Sequence, residues 1–263
     1  MNTDAAAYIL PLIAAAAAGL VGAFAFMKRT ILAGDVMSHI AIPGLGLAVV
    51  WKLNPLVGGG LTLLAGIIII WRLGRGTQLT AEAAIGVMFA ASVALGALLL
   101  GSGEELVDAL FGGFRTPGAG EFIFGIAGSI FIIWALWMLR HELILGLFSP
   151  DLARTSGVDV DTVNLQFLLL FGLAILVSLR FLGALLVGSL IIIPASTARQ
   201  LTHSLGQFLA FSSLIAVASV VLGLVIAHTG GLDAGPTVVV TAAGFFCLSL
   251  LNRPEIDHRW LNR

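Results

Sequence analysis

Ionisable side chains are scarce in this chain, with 13 Lys plus Arg, 14 Asp plus Glu and five His among 263 residues. Where they cluster is therefore informative. The stretch Gly34-Asp35-Val36-Met37-Ser38-His39-Ile40-Ala41-Ile42-Pro43-Gly44 places a carboxylate and an imidazole four positions apart in apolar sequence. On a helix that spacing puts both groups on one face. Carboxylate oxygen with imidazole nitrogen is a donor set that divalent transition metals accept. Ionisable groups at membrane depth are costly, and they line a cavity or pair with each other. Pro43 and Gly44 could open the backbone beside the pair, as in transport sites built on interrupted helices. The other reading of the same residues is structural: Asp35 caps a helix start near the inner surface and His39 bonds to it.

A second cluster is Ser149-Pro150-Asp151-Leu152-Ala153-Arg154-Thr155-Ser156-Gly157. Ser149 suits an N-cap and Pro150 the first helical position. Asp151 favours a helix N-terminus, and Gly157 suits a helix stop. The pattern predicts a short helix between two long apolar runs, which either closes a loop or forms a knob for a soluble partner. Acidic residues gather at Glu104, Glu105 and Asp108, while His228 and Asp233 flank the turn Gly230-Gly231-Leu232. These five residues are read either as solvated loops or as an entrance that attracts cations. Glu82 reads as a carboxylate at a helix start, and Arg199 as an anchor at a span end.

Several chemistries lack their residues. A phosphate-binding loop needs a Gly-Lys-Ser/Thr step, and the two lysines follow Met27 and Trp51 instead. His141-Glu142 has no second His for a metalloprotease helix, and the adjacent Ser38-His39 make a poor catalytic dyad. The single cysteine, Cys247, rules out an intramolecular disulfide and a thiolate cluster. The expectation is a transporter component and not an enzyme, with no permanently bound cofactor.

The elements that position these residues follow from composition. Hydrophobic residues make up 59% and charged residues 10%, at a mean hydropathy of +1.08. Soluble domains carry about 25% charged residues, so this is an integral membrane protein. A spanning helix needs about 20 apolar residues. Nine apolar runs satisfy or approach that: 8–27, 36–51, 56–71, 82–101, 122–139, 162–179, 181–198, 206–228 and 236–251. The runs 36–51 and 56–71 are short and interrupted by Pro43, Pro55 and Gly58-Gly59-Gly60, so one of them could be broken or re-entrant. The expected fold is an all-α polytopic membrane helix bundle of eight or nine spans, one domain over residues 1–263, with a short cytoplasmic helix near 149–157. With the N-terminus outside and nine crossings, ten of the 13 Lys and Arg fall on the inner side, the side on which basic residues accumulate. The C-terminus then faces the cytoplasm.

The 34–44 stretch resembles a signature of the membrane permeases of bacterial ABC importers for zinc, manganese or iron. So does the run from Gly183 through Pro194 to Arg199. Weaker likenesses are Glu82–Val87, Leu110-Phe111-Gly112-Gly113 and Gly235-Pro236-Thr237, which occur in the family's order. The resemblance implies a multi-pass permease of the bacterial cytoplasmic membrane that forms a homodimer around one pathway. Cytoplasmic ATP-binding subunits would hydrolyse the ATP, and an extracytoplasmic metal-binding protein would deliver the ion. Asp35 and His39 would belong to the metal pathway. Pro150, Asp151, Leu152, Ala153 and Arg154 would form the helix coupled to the ATPase. The alternatives are an ion-coupled secondary transporter and an ABC permease for a metal chelate.

Overall fold

The computed structural model describes residues 3–76, 81–100 and 118–251. Their helices are α1 (Thr3–Met27), α2 (Ile31–Val50), α3 (Pro55–Gly76), α4 (Ala81–Leu100), α5 (Ala119–Phe148), α6 (Pro150–Thr155), α7 (Val160–Leu201), α8 (Leu205–Gly230) and α9 (Ala234–Leu251). No strand occurs among the described residues. Among the described residues, six helical stretches are long and apolar enough to cross a membrane, and three shorter apolar stretches, Val36–Ala48, Gly86–Leu99 and Leu186–Leu201, accompany them.

Helix α7 differs from the sequence expectation of two separate runs. Its 42 residues are continuous helix, which would extend about 63 Å if straight. It is not straight. Near its start, Asn164 meets Lys28 at the end of α1. Just beyond its finish, Phe208 stacks edge-on against Phe26 of α1, with ring centres 6.0 Å apart. Both ends of α7 therefore lie against the same end of α1. A Cβ built on Gly34 would stand 2.5 Å from Phe171 and 3.4 Å from Ile191, residues that a straight helix would hold about 30 Å apart. The chain rises through Phe171 and Ile175, reverses, and descends through Leu190 and Ile191. The two runs read from the sequence are the two arms of this bend.

The other pairings alternate in direction. Gly66 of α3 meets Ile40, and Gly58 meets Gly44, so α2 and α3 are antiparallel. Helix α4 runs parallel to α2, with Phe89 against His39 and Gly96 against Ile42. Gly125 of α5 meets Leu10, while Leu143 lies beside Phe24 and Lys28. One end of the bundle thus gathers the α1–α2 turn, α6 and the α7–α8 turn; this is the α6 end. Lys28, Arg29, Arg72, Arg140, Arg154 and Arg199 all lie toward it, whereas Lys52 lies at the opposite end.

Small residues set the packing. Gly44 and Gly58 approach so closely that a Cβ on either would overlap the carbonyl of the other. Such contact lets backbones meet without large side chains, a common device of membrane helices. It also accounts for α2 and α3 being unbroken where prolines and glycines suggested an interruption. Pro43 is carried inside α2, and neighbouring helices make that tolerable. Pro55 sits at the first position of α3, where Asn54 Oδ1 accepts from the Leu56 N–H at 2.9 Å. Between α1 and α8, Ser212 Oγ donates to the Gly19 carbonyl at 2.6 Å and Ser213 Oγ to that of Ala16 at 3.0 Å. Phe167, Phe171, Leu10 and Met37 are fully buried at the centre.

Residues 140–148, beyond the apolar run 122–139, complete α5. The Arg140 guanidinium lies 3.8 Å from the centre of the Trp137 ring, one turn back. The charge rides on the helix side while Leu143 enters the core.

Candidate functional site

Asp35 and His39 both fall inside α2, which begins at Ile31. Asp35 is thus not the helix cap that the structural reading required. Its register places it on the face of His39, one turn earlier. His39 is half-buried, and its ring meets Phe89 of α4 edge-on, with centres 4.9 Å apart and planes at 87°. Ser38 beside it is fully buried. His39 lies within the apolar stretch Val36–Ala48, where an ionisable group is expensive; Asp35 immediately precedes that stretch. Among the described residues no three His, Cys, Asp or Glu come together as a metal cluster.

The remaining entrance candidates are placed unevenly. Glu104, Glu105 and Asp108 lie outside the described residues. His228 is exposed on the last turn of α8, at the end opposite α6, and Asp233 is exposed just before α9. The Asp233 carbonyl accepts from the Thr237 hydroxyl at 2.7 Å, so its backbone closes the first turn of α9. Gly231 between them has φ +63° and ends α8. These residues mark a capped, exposed turn.

Helix α6 is built as its residues dictate. The Ser149 side chain accepts from the Leu152 N–H at 3.3 Å, and Pro150 takes the first position. Ser149 also closes α5, its N–H donating to the Leu145 carbonyl at 3.0 Å. At the far end Gly157 adopts φ +81°, and the Val158 N–H reaches back to Ala153 at 2.9 Å. Left-handed backbone of this kind strains any residue with a Cβ, which is why glycine stands there. Ala153 is fully buried, Asp151 and Arg154 are exposed, and Leu152 is 54% exposed. One side of α6 is anchored, while the other offers a leucine flanked by two charges.

Lys28 has a role that sequence reasoning missed, having counted it only as an inner-side charge. Its amine turns inward to Asn164 Oδ1 and lies 5.3 Å from the centre of the Phe167 ring. Burial pushes this amine below the ordinary lysine range. Lysines at span ends ordinarily extend toward water. The available signal was that Asn164 and Phe167, one turn apart, open the run that follows α6.

With this geometry, comparisons with known proteins are informative. The profile of the ABC 3 transport family matches residues 2–253. The chain is 29% identical over 261 residues to the manganese import system permease protein ScaB of Streptococcus gordonii, covering 98% of this chain and 93% of that protein. It is 28% identical over 240 residues to the high-affinity zinc uptake system membrane protein ZnuB of Haemophilus influenzae, covering 89% and 92%. Among solved structures, PsaBC from Streptococcus pneumoniae in complex with Fab superposes with a TM-score of 0.86 at 27% identity, covering all of this chain and 96% of that one.

Proposed function

The chain belongs to the ABC 3 transport family, and on this premise we propose that two copies form the membrane pathway of an ATP-driven importer for a divalent transition metal ion. Relatives named for manganese import and zinc uptake align over most of the chain, and this observation carries the proposal. Asp35 and His39 are the proposed pathway residues. Among the described residues one chain gathers no group of three His, Cys, Asp or Glu. Two copies facing each other would supply two carboxylates and two imidazoles, a set that suits zinc, manganese or iron. Glu104, Glu105, Asp108, His228 and Asp233 are proposed as the entrance, where acidic groups raise the local cation concentration.

Helix α6 is the proposed docking point for the ATP-binding subunit, through Pro150, Asp151, Leu152, Ala153 and Arg154. The α6 end is then cytoplasmic. The bias of basic residues toward that end supports this orientation. Helix α9 returns to the α6 end, so the C-terminus is assigned to the cytoplasm. A separate extracytoplasmic protein would deliver the ion in the bacterial cytoplasmic membrane.

The test is reconstitution. The permease with its ATP-binding subunits and binding protein should take up zinc or manganese into liposomes only with ATP present. Uptake by the permease alone under a proton gradient would overturn the proposal in favour of a secondary transporter.

A further inference from the structure

Helix α6 is held between two chain segments, and both lie beside Lys28. On one side, α5 ends at Phe148, directly before the Ser149 cap, and its Leu143, Ile144 and Leu147 line a shallow cleft with Lys28, Met27 and Phe24. On the other side, α7 begins at Val160, and its first two turns present Asn164 and Phe167 to the Lys28 amine. Ala153 is fully buried and Val158 packs on the same core. These contacts join α6 to both flanks.

Lys28 is also the last residue before the elbow into α2. The elbow is tight. Arg29 adopts φ +56°, and the Thr30 N–H reaches back to the Ala25 carbonyl at 3.0 Å. Helix α2 starts at the next residue, Ile31, and carries Asp35 on its second turn. Only three residues separate the two helices, so the start of α2 stays close to Lys28. Packed elements of this kind switch between discrete arrangements and do not deform continuously.

We infer that Lys28, through Asn164 and Phe167, is a positioning residue that links the docked helix α6 to the Asp35–His39 segment of α2. The amine does not touch the ion. It fixes the end of α1 to the start of α7, so that a push on α6 reaches α2 as a shift of its first turns. This inference rests on the proposed docking of the ATP-binding subunit at α6.

The experiment measures metal moved per ATP hydrolysed by the reconstituted complex. In Lys28→Met, the ATP-binding subunits should still copurify and hydrolysis should stay near normal. Metal moved per ATP should fall by about tenfold, within the range that coupling residues show. Asn164→Leu reads the same contact from the α7 side, so a poorly inserted Lys28 variant leaves the test intact. Lys28→Arg, which keeps a cation in place, should recover most of the ratio. The double variant should be no worse than the worse single one, because both remove one interaction. A merely structural contact would lower the amount of folded protein and leave the ratio unchanged, and that result overturns the inference. Leu152→Glu separates the two readings. Loss of the ATP-binding subunit in Leu152→Glu but not in Lys28→Met supports the link, whereas retention in Leu152→Glu removes the docking reading and the link with it.

Discussion

Helix α6 is held by residues adjacent to it in sequence, whereas the Asp35–His39 segment of α2 is surrounded by helices distant along the chain. The ends of α6 are fixed by Ser149, Pro150 and Gly157, all within a residue or two of the helix. The surroundings of His39 come from Phe89 of α4, and Gly34 at the base of the segment meets both arms of α7. The first region presents charge and an exposed leucine to water. The second holds an imidazole, that of His39, within an apolar stretch of helix. The comparison teaches that the exposed side of α6 can be altered with little effect on the bundle, while the α2 segment is packed against α3, α4 and α7.

The largest expected effect lies in α2. His39→Ala and Asp35→Ala should each lower metal uptake per folded permease by about tenfold or more, the consequence of losing about 1.4 kcal/mol or more of ion binding. The imidazole must be neutral to bind metal, so wild-type uptake should weaken on acidification while the residual activity of His39→Ala responds less. Normalising to folded protein is essential, because His39→Ala also removes the Phe89 contact. Near-normal uptake per folded molecule in both variants would leave the pair with a packing role and collapse the contrast with α6.

That contrast also decides how much was legible in the sequence. Capping is local chemistry, so Ser149, Pro150 and Gly157 announced α6 with correct ends. The apolar runs announced the spans, and the descending arm of α7 was visible as its own run. The reversal of α7 as unbroken helix was not visible, because it depends on where α1 and α2 hold Phe171 and Ile191. Nor was the continuity of α2 through Pro43, which depends on the approach of Gly44 to Gly58. The Lys28–Asn164 contact joins residues 136 positions apart, and no spacing rule reaches that far. The 34–44 segment stood out by its carboxylate and imidazole four positions apart and by its resemblance to a family signature; the same spacing allowed a structural Asp35–His39 pair, though α2 starts at Ile31 and not at Asp35.

A smaller effect on transport chemistry, though a large one on assembly, is expected in α6. Leu152 is 54% exposed beside the buried Ala153. Leu152→Glu therefore costs the bundle little, since surface substitutions usually fall within about 0.5 kcal/mol. It places a carboxylate where an apolar contact is proposed. The ATP-binding subunit should be lost on copurification while permease yield in the membrane stays normal. Reduced yield with normal binding would mean that Leu152 serves the fold, and the two regions would then no longer differ in kind.

The smallest expected effect is that of Ser149→Ala. The substitution removes one hydroxyl and keeps the backbone bonds that Ser149 makes as the end of α5 and the start of α6. The lost bond is long, at 3.3 Å to the Leu152 N–H, so its contribution falls at the low end for N-caps, about 0.5 kcal/mol. A six-residue helix has almost no stability of its own. It is maintained by Pro150 at its start, Gly157 at its end and the burial of Ala153. These remain in the variant, so affinity for the ATP-binding subunit should drop by only about twofold. Titrating the subunit against stimulated ATP hydrolysis measures that change directly. A tenfold loss would show that the hydroxyl cap decides whether α6 forms, so that local chemistry outweighs tertiary anchoring there. An unchanged affinity would assign the helix to its tertiary anchor at Ala153, bringing α6 closer to the α2 segment in the way it is held.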